Sequence, residues 1–448
     1  MQEEFIKKLA KLSEESSAIE EELYKEYSVK RGLRNKDFTG VLVGLTHIGG
    51  VVGYDKTDKG TVPTEGKLLY RGIRIKDLVN GFQKDNRPGF DEVTFLLLFG
   101  KLPTDQELDL FSKELSDLRD LPENFTENMI LKLKGRDIMN MLARCVLALY
   151  AVDDNADDTS TFNILKQSIN LIAKFPTIIA YSYYSRRHKY QHKHLVIRHP
   201  RKDLNTAENF LYMLKGNKKY TDLEAKLLDL ILVLHAEHGG GNNSSFTTRV
   251  VSSSGTDTYS VIASSMGSLK GPLHGGANIK VTEMMENIKE NVKDWKDEKE
   301  VSEYLLKIFK KEAFDNSGKI YGFGHAVYTI SDPRAILLKE EAKELAEEKG
   351  RLDEFELFAS IEKLCPRIFV EFKKTTKIIA PNVDFYSGFV YDCIGIPKEV
   401  YTPLFAMARI TGWCAHRIEE LISSKRIIRP AYKSVANKNG YTPMGGRE

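Results

Sequence analysis

Residues 223–243 read LEAKLLDLILVLHAEHGGGNN, and this stretch decides the fold class. From Leu223 to His238 the run is apolar nearly all round, the pattern of a helix buried on every side. Gly239, Gly240 and Gly241 follow and should end it. Working outward, Asp91 to Gly100 (DEVTFLLLFG) reads as an apolar helix stopped by Gly100, with Lys101-Leu102-Pro103 behind it. Asp137 to Val152 reads as another buried helix, and Ile336 to Glu348 and Val400 to Ile422 as further long ones. Strand signals are few and short: Val41 to Ile48 and Gly50 to Tyr54, near a turn-rich Asp55 to Gly66. The fold class is therefore mainly α.

The chain has 448 residues, more than one hydrophobic core usually serves. Two packed domains, or a large domain with an inserted lobe, are expected. Asn287 to Asp315 and Lys339 to Phe355 are charge-rich amphipathic segments lying between glycine-rich stretches. That arrangement suits a more exposed lobe set between two halves of a larger domain. At the N-terminus Phe5, Leu9, Leu12, Ile19 and Leu23 recur at helical spacing, so an amphipathic helix begins the chain. No internal repeat of 20–50 residues is visible.

Lys and Arg number 66 against 63 Asp and Glu, a net charge of +3. No dense basic block of the kind that binds nucleic acid or anionic lipid stands out. Arg186-Arg187-His188-Lys189 and Lys373-Lys374 read as solvated faces. Cys145, Cys365, Cys393 and Cys414 are scattered without a CxxC pair, which fits a reducing compartment. The N-terminus lacks the apolar core of a signal peptide, and its acidic residues argue against a mitochondrial presequence. No run of about twenty apolar residues offers a membrane span. A cytoplasmic protein without nucleic-acid or membrane partners is expected.

Four segments combine His, Asp, Arg and Gly in ways a core does not require. In His235-Ala236-Glu237-His238, His238 would lie at a helix C-terminus, where the dipole favours a cationic imidazole able to bind a carboxylate. It would serve equally as a helix cap. In Gly271-Pro272-Leu273-His274-Gly275-Gly276, small residues allow close approach to His274. The helix beginning there disfavours its cation, and a neutral imidazole can donate to a developing enolate oxygen. An incidental turn histidine is the alternative. Gly322-Phe323-Gly324-His325 continues to Asp332-Pro333-Arg334, where Arg334 has the planar fork that matches a carboxylate. Asp332 reads as the cap of the next helix. In Pro381-Asn382-Val383-Asp384-Phe385, Asp384 sits among apolar and aromatic neighbours. It is either a general base or a helix-capping carboxylate.

Taken in order, HAEHGGGN, GPLHGGAN, GFGHAVYTISDPRA and PNVDFYSG resemble the citrate synthase family. Tyr70-Arg71-Gly72, LLLFGKLPT at 96–104, NTAENFLYML at 205–214 and FAMARITGWCAH at 405–416 support the resemblance, which runs from about residue 40 to about 432. It implies a citrate-synthase-like fold in which a large and a smaller helical domain enclose an active-site cleft. The expected division is 1–275 for the large domain, 276–393 for the small one and 394–448 for the return, with the first 35 or so residues an extension. It implies condensation of acetyl-CoA with oxaloacetate and hydrolysis of citryl-CoA to citrate and CoA. His274, His325 and Asp384 match the catalytic positions. His238, Arg334, Arg409 and Arg429 match those holding oxaloacetate, with Arg429 supplied across a homodimer interface. Acetyl-CoA is a substrate, and neither cofactor nor metal is implied.

Two positions depart from the family pattern. Thr329 stands four residues after His325, where a basic residue often meets CoA phosphates. Ala431 follows Arg429-Pro430 where a second basic residue is common. A 2-methylcitrate synthase acting on propionyl-CoA would use the same residues, and a metal-dependent hydrolase is the remote alternative. His235 and His238 are three apart, not the HExxH spacing of zinc proteases.

Overall fold

The apolar run folds as the helix Asp222–His235. Thr221 opens it with a capping box: its side chain accepts from Glu224 N, and Glu224 reaches back to the Thr221 backbone. Every residue from Leu227 to His235 is buried, as all-round apolarity demands. The helices Phe90–Phe99, Thr206–Lys215, Pro333–Glu348, Val383–Ile394 and Tyr401–Ser423 pack against it. One polar residue in the run is satisfied across the core: the Asp229 carboxylate accepts from Gly89 N at 2.6 Å and from Phe90 N at 3.2 Å. It thereby supplies the partners that the start of Phe90–Phe99 lacks.

This computed structural model describes residues 2–35, 37, 39–58, 60–376, 378–437 and 440–446. Seventeen α-helices lie among the described residues, and the fold is the expected mainly α one. Phe90–Phe99 ends on Gly100 at φ 79°, a left-handed cap that glycine adopts without strain. Ile138–Leu149 starts behind an Asp137 cap, and Tyr401–Ser423 covers the last long apolar run. The charge-rich segments resolve into Ala277–Asn291, Glu298–Phe309, Pro333–Glu348 and Leu352–Lys373, which pack on one another and on Val383–Ile394. The N-terminal helix Gln2–Ser17 leaves Phe5, Ile6, Leu9 and Leu12 exposed in the single chain. The four cysteines are buried thiols. Arg186 is not the solvated residue expected, since it pairs with Glu399 at 2.8 Å and donates to Arg136 O.

Of the two strand expectations, Gly50 to Tyr54 lies within a strand and the other needs correction. Val41 to Ile48 forms no strand, and Leu42, Val43 and Leu45 are exposed, with no neighbouring ladder to receive them. The stretch read as turn-rich is instead mostly strand. Gly49–Thr57 pairs antiparallel with Gly60–Tyr70, from Gly49 opposite Tyr70 to Thr57 opposite Gly60, and Ile73–Arg74 adds a third short strand. Turn-forming residues within the hairpin serve close packing rather than reversal. A Cβ at Gly66 would strike Ser331 O, so the hairpin lies directly against the segment after His325. Gly66 N donates to Ser331 Oγ at 3.2 Å in the same place.

Candidate active site

Backbone pairing joins two of the four motif segments. Gly324 N donates to Ala380 O at 2.9 Å, Asn382 N to Gly322 O at 2.8 Å, and Asn382 Nδ2 to Gly324 O at 3.0 Å. Gly322 is required here, because its φ is 82° and a Cβ would meet Phe385 and Val281. His325 and Asp384, far apart in sequence, are thus carried on paired segments. The segment after His274 is tied to the same helix, with Asn278 Nδ2 donating to Ser387 Oγ at 2.5 Å. His238 meets His325 directly: their Nε2 atoms are 2.9 Å apart and their rings stack with centroids at 4.8 Å.

Two arginines lie under this group. Arg409 is fully buried, and its Nε donates to His235 O at 2.7 Å. Its Nη1 and Nη2 have no hydrogen-bond partner. Arg334 is 3% exposed and is held by Asp332, with Nε to Oδ1 at 3.0 Å and Nη2 to Oδ2 at 2.7 Å. Asp332 also accepts from Arg334 N, the helix cap anticipated for it. The charges of Arg334 and Arg409 both act on Asp384, His238 and His235. Arg409 acts on His274 and Arg334 on His325. One cationic field therefore spans six of the seven residues singled out from the sequence. The seventh, Arg429, is exposed in the irregular segment after Tyr401–Ser423 and does not join them within the chain.

Burial and this field set the protonation states. Burial, with Arg409 second, pushes His274 down to about 4; burial, with Arg334 second, does the same to His325. His238 is lowered well below its ordinary value by burial and then Arg334. The cationic His238 expected from a helix C-terminus is therefore overturned. The helix stops at His235, three residues earlier, and desolvation beside two arginines disfavours the cation. Burial raises Asp384 to about 6, against the opposing pull of Arg334.

The hydrogen-bond pattern also assigns a ring proton. His325 Nδ1 accepts from Val327 N at 3.0 Å and Tyr328 N at 3.1 Å, so its proton is on Nε2, facing His238. His274 Nε2 lies 3.1 Å from Ser244 Oγ, which also accepts from Trp413 Nε1 at 3.1 Å. The Ser244 hydroxyl donates to Asn242 Oδ1 at 3.0 Å, so the contact orients the His274 ring without assigning its proton to either nitrogen. Ser244 and Trp413 were not singled out from the sequence. Trp413 lies within a quoted segment, but a serine three residues beyond a glycine run carries no local signal.

Comparisons with known proteins place the chain in a family. The family model "Citrate synthase, C-terminal domain" matches residues 37–431. The chain belongs to the citrate synthase family. It is 37% identical over 389 residues to a citrate synthase of Synechocystis sp., covering 86% of this chain and 89% of that protein. It is 38% identical over 372 residues to one of Deinococcus radiodurans, covering 82% and 89%. A 2-methylcitrate synthase of Shewanella oneidensis is 34% identical over 380 residues, covering 84% and 91%. Among solved structures, a citrate synthase of Thermoplasma acidophilum in ternary complex with carboxymethyl coenzyme A and oxaloacetate superposes with a TM-score of 0.75 at 26% identity, covering 94% of this chain and 99% of that one. A Pyrobaculum aerophilum citrate synthase gives 0.73 at 30% identity, covering 92% and 95%. These citrate synthase neighbours also agree with the mainly α fold.

Proposed function

We propose that the chain condenses acetyl-CoA with oxaloacetate and hydrolyses the resulting citryl-CoA, using Asp384, His274 and His325. The observation that carries this reading is an anion pocket without its anion's contacts. Arg409 holds out two unpartnered nitrogens, Nη1 and Nη2, of a fully buried guanidinium beside Arg334, three neutral imidazoles and one carboxylate. Two arginines suit a dicarboxylate, and guanidinium matches carboxylate in plane and spacing. His238 would complete the oxaloacetate contacts. Arg429 of a second subunit would add to them, making the active unit a homodimer.

Each step uses a group already in the required state. The Asp384 carboxylate takes a proton from the acetyl methyl group. As that C–H bond breaks, charge moves to the thioester oxygen, where an N–H of the neutral His274 ring can donate to it. One such donor is worth about 3–4 kcal/mol of barrier. The enol carbon then attacks the ketone carbon of oxaloacetate, and His325 Nε2–H delivers its proton to the forming alkoxide. Substrate must displace the contact between His238 and His325 for this to happen. Water then cleaves the citryl thioester, releasing citrate and CoA. We place the moving lobe at 276–393, which closes over the cleft once oxaloacetate binds and keeps water from acetyl-CoA. CoA-phosphate contacts come from residues other than Thr329, whose hydroxyl is buried without a partner. No resident cofactor or metal takes part, and the enzyme works in the cytoplasm. Among the described residues, no helix is long and apolar enough to cross a membrane.

The test is thiol release from acetyl-CoA with and without oxaloacetate. Release only in its presence is expected, and equal release in both removes the reading. Because one relative is a 2-methylcitrate synthase, propionyl-CoA is the second acyl donor to test. One methylene shifts binding by only about 1–3 kcal/mol. The ratio of kcat/KM for acetyl-CoA and propionyl-CoA decides between them.

A further inference from the structure

Glu237 is a fully buried carboxylate to which the reaction above gives no role. It provides the leading attraction on the buried Arg409 cation. A carboxylate and a guanidinium sharing a dry site ordinarily close into a bidentate pair. Here they do not: Glu237 Oε2 has no hydrogen-bond partner, and neither do Arg409 Nη1 and Nη2.

A chain of hydrogen bonds leading away from the site holds them apart. Glu237 Oε1 accepts from His416 Nε2 at 2.9 Å and from Gly239 N. His416 Nδ1 lies 2.7 Å from Arg249 Nη2. A guanidinium can only donate, so Nδ1 is the acceptor and Nε2 bears the proton given to Glu237. Arg249 is in turn held by Glu419 and by Glu420 Oε2, the latter at 2.9 Å. Two glycines clear the space. A Cβ at Gly49 would lie 2.6 Å from Glu237 Oε1, and one at Gly412 would overlap Oε2.

We propose that Glu237 is a tethered counter-charge. It makes the Arg409 cation tolerable in a desolvated pocket. The His416–Arg249 chain keeps it off the guanidinium fork, which stays open for a substrate carboxylate. Glu237, His416 and Arg249 are positioning residues, and the inference rests on Arg409 receiving oxaloacetate.

The test is one of rescue. In His416→Phe, Glu237 loses its donor and closes onto Arg409, so most unliganded enzyme no longer accepts substrate. KM for oxaloacetate should rise on the order of tenfold, since apparent affinity falls with the competent fraction. The kcat at saturating oxaloacetate should change little. Adding Glu237→Gln to His416→Phe removes the competing charge and should return KM toward the wild-type value. A purely structural role predicts that the second substitution adds to the damage. An unchanged KM in His416→Phe, or a double variant worse than the single, overturns the proposal. If His416→Phe shows no cooperative melt, Arg249→Met breaks the next link, and the same Glu237→Gln rescue is read there. Wild-type turnover is measured alongside. Its absence overturns the functional reading and this inference together, whereas turnover without rescue overturns the inference alone.

Discussion

Asp384 is where chemistry and stability oppose each other. Its carboxyl is raised to about 6 by burial, against about 3.9 in an unfolded chain. The folded state therefore holds this proton more tightly. The associated stability is present at low pH and is lost as pH rises from about 4 through about 6. Two units amount to about 3 kcal/mol at neutral pH. Asp384→Asn should abolish condensation by orders of magnitude while raising the melting temperature at pH 8, with the gain shrinking toward pH 4. A melting temperature below wild type at pH 8 would show that the carboxylate is structurally useful. In the wild type, kcat/KM should fall as pH drops below about 6, because the base must be ionised. A flat acid limb down to pH 5 would move the base elsewhere.

Ser244 belongs to the same scale. Its Oγ is the one side-chain partner of His274 Nε2 among the described residues. Ser244→Ala removes the group that orients the ring. We expect kcat to fall by roughly 10–100-fold with KM for oxaloacetate nearly unchanged. Equal losses in both would point to general disruption instead.

At the scale of elements, the helix Asp222–His235 does two jobs. Its all-round apolar surface makes it the centre against which other helices pack, and its last carbonyl, His235 O, fixes Arg409. Asp229 is its one internal polar device, bridging to the start of Phe90–Phe99. Asp229→Ala would leave Gly89 N and Phe90 N buried without partners, at a cost of about 2–3 kcal/mol. A clearly lowered melting temperature with unchanged KM values is expected. Retained stability would mean that water replaces the carboxylate. The hairpin Gly49–Tyr70 is the other structural connector. It touches the loop after His325 through Gly66, and the HAEH segment through Tyr70, whose hydroxyl accepts from Glu237 N at 3.3 Å and donates to Val233 O at 2.9 Å.

At the scale of the molecule, the site is assembled from segments spread over most of the chain, so ligand binding should stabilise the whole. On the proposed assignment of oxaloacetate to the arginine pocket, oxaloacetate should raise the melting temperature by itself. At a hundred times its Kd the gain is about 2.7 kcal/mol. Acetyl-CoA analogues should give their full shift only with oxaloacetate present. A full shift from the analogue alone would contradict ordered closure. Arg429→Leu should weaken oxaloacetate binding if a partner subunit supplies that arginine. Mixed dimers, with Arg429→Leu in one chain and Asp384→Asn in the other, should then recover one working site.

The amino-acid sequence by itself determined the mainly α class, because periodicity and helix stops at residues such as Gly100 and Asp137 are local properties. It also carried the family, through four ordered motifs around His238, His274, His325 and Asp384. It marked Gly50 to Tyr54, in the hairpin's first strand, but missed the second, and Val41 to Ile48 looks as strand-like as Gly49–Thr57 until a pairing partner exists. Only the tertiary structure decided the protonation states. Whether His238 is cationic depends on desolvation and on Arg334 and Arg409 nearly a hundred residues or more away, not on its helix end. Likewise the open fork of Arg409 depends on Glu237 being held by His416, a contact between segments far apart in sequence. Charge and burial act through space, and no spacing along the chain encodes them.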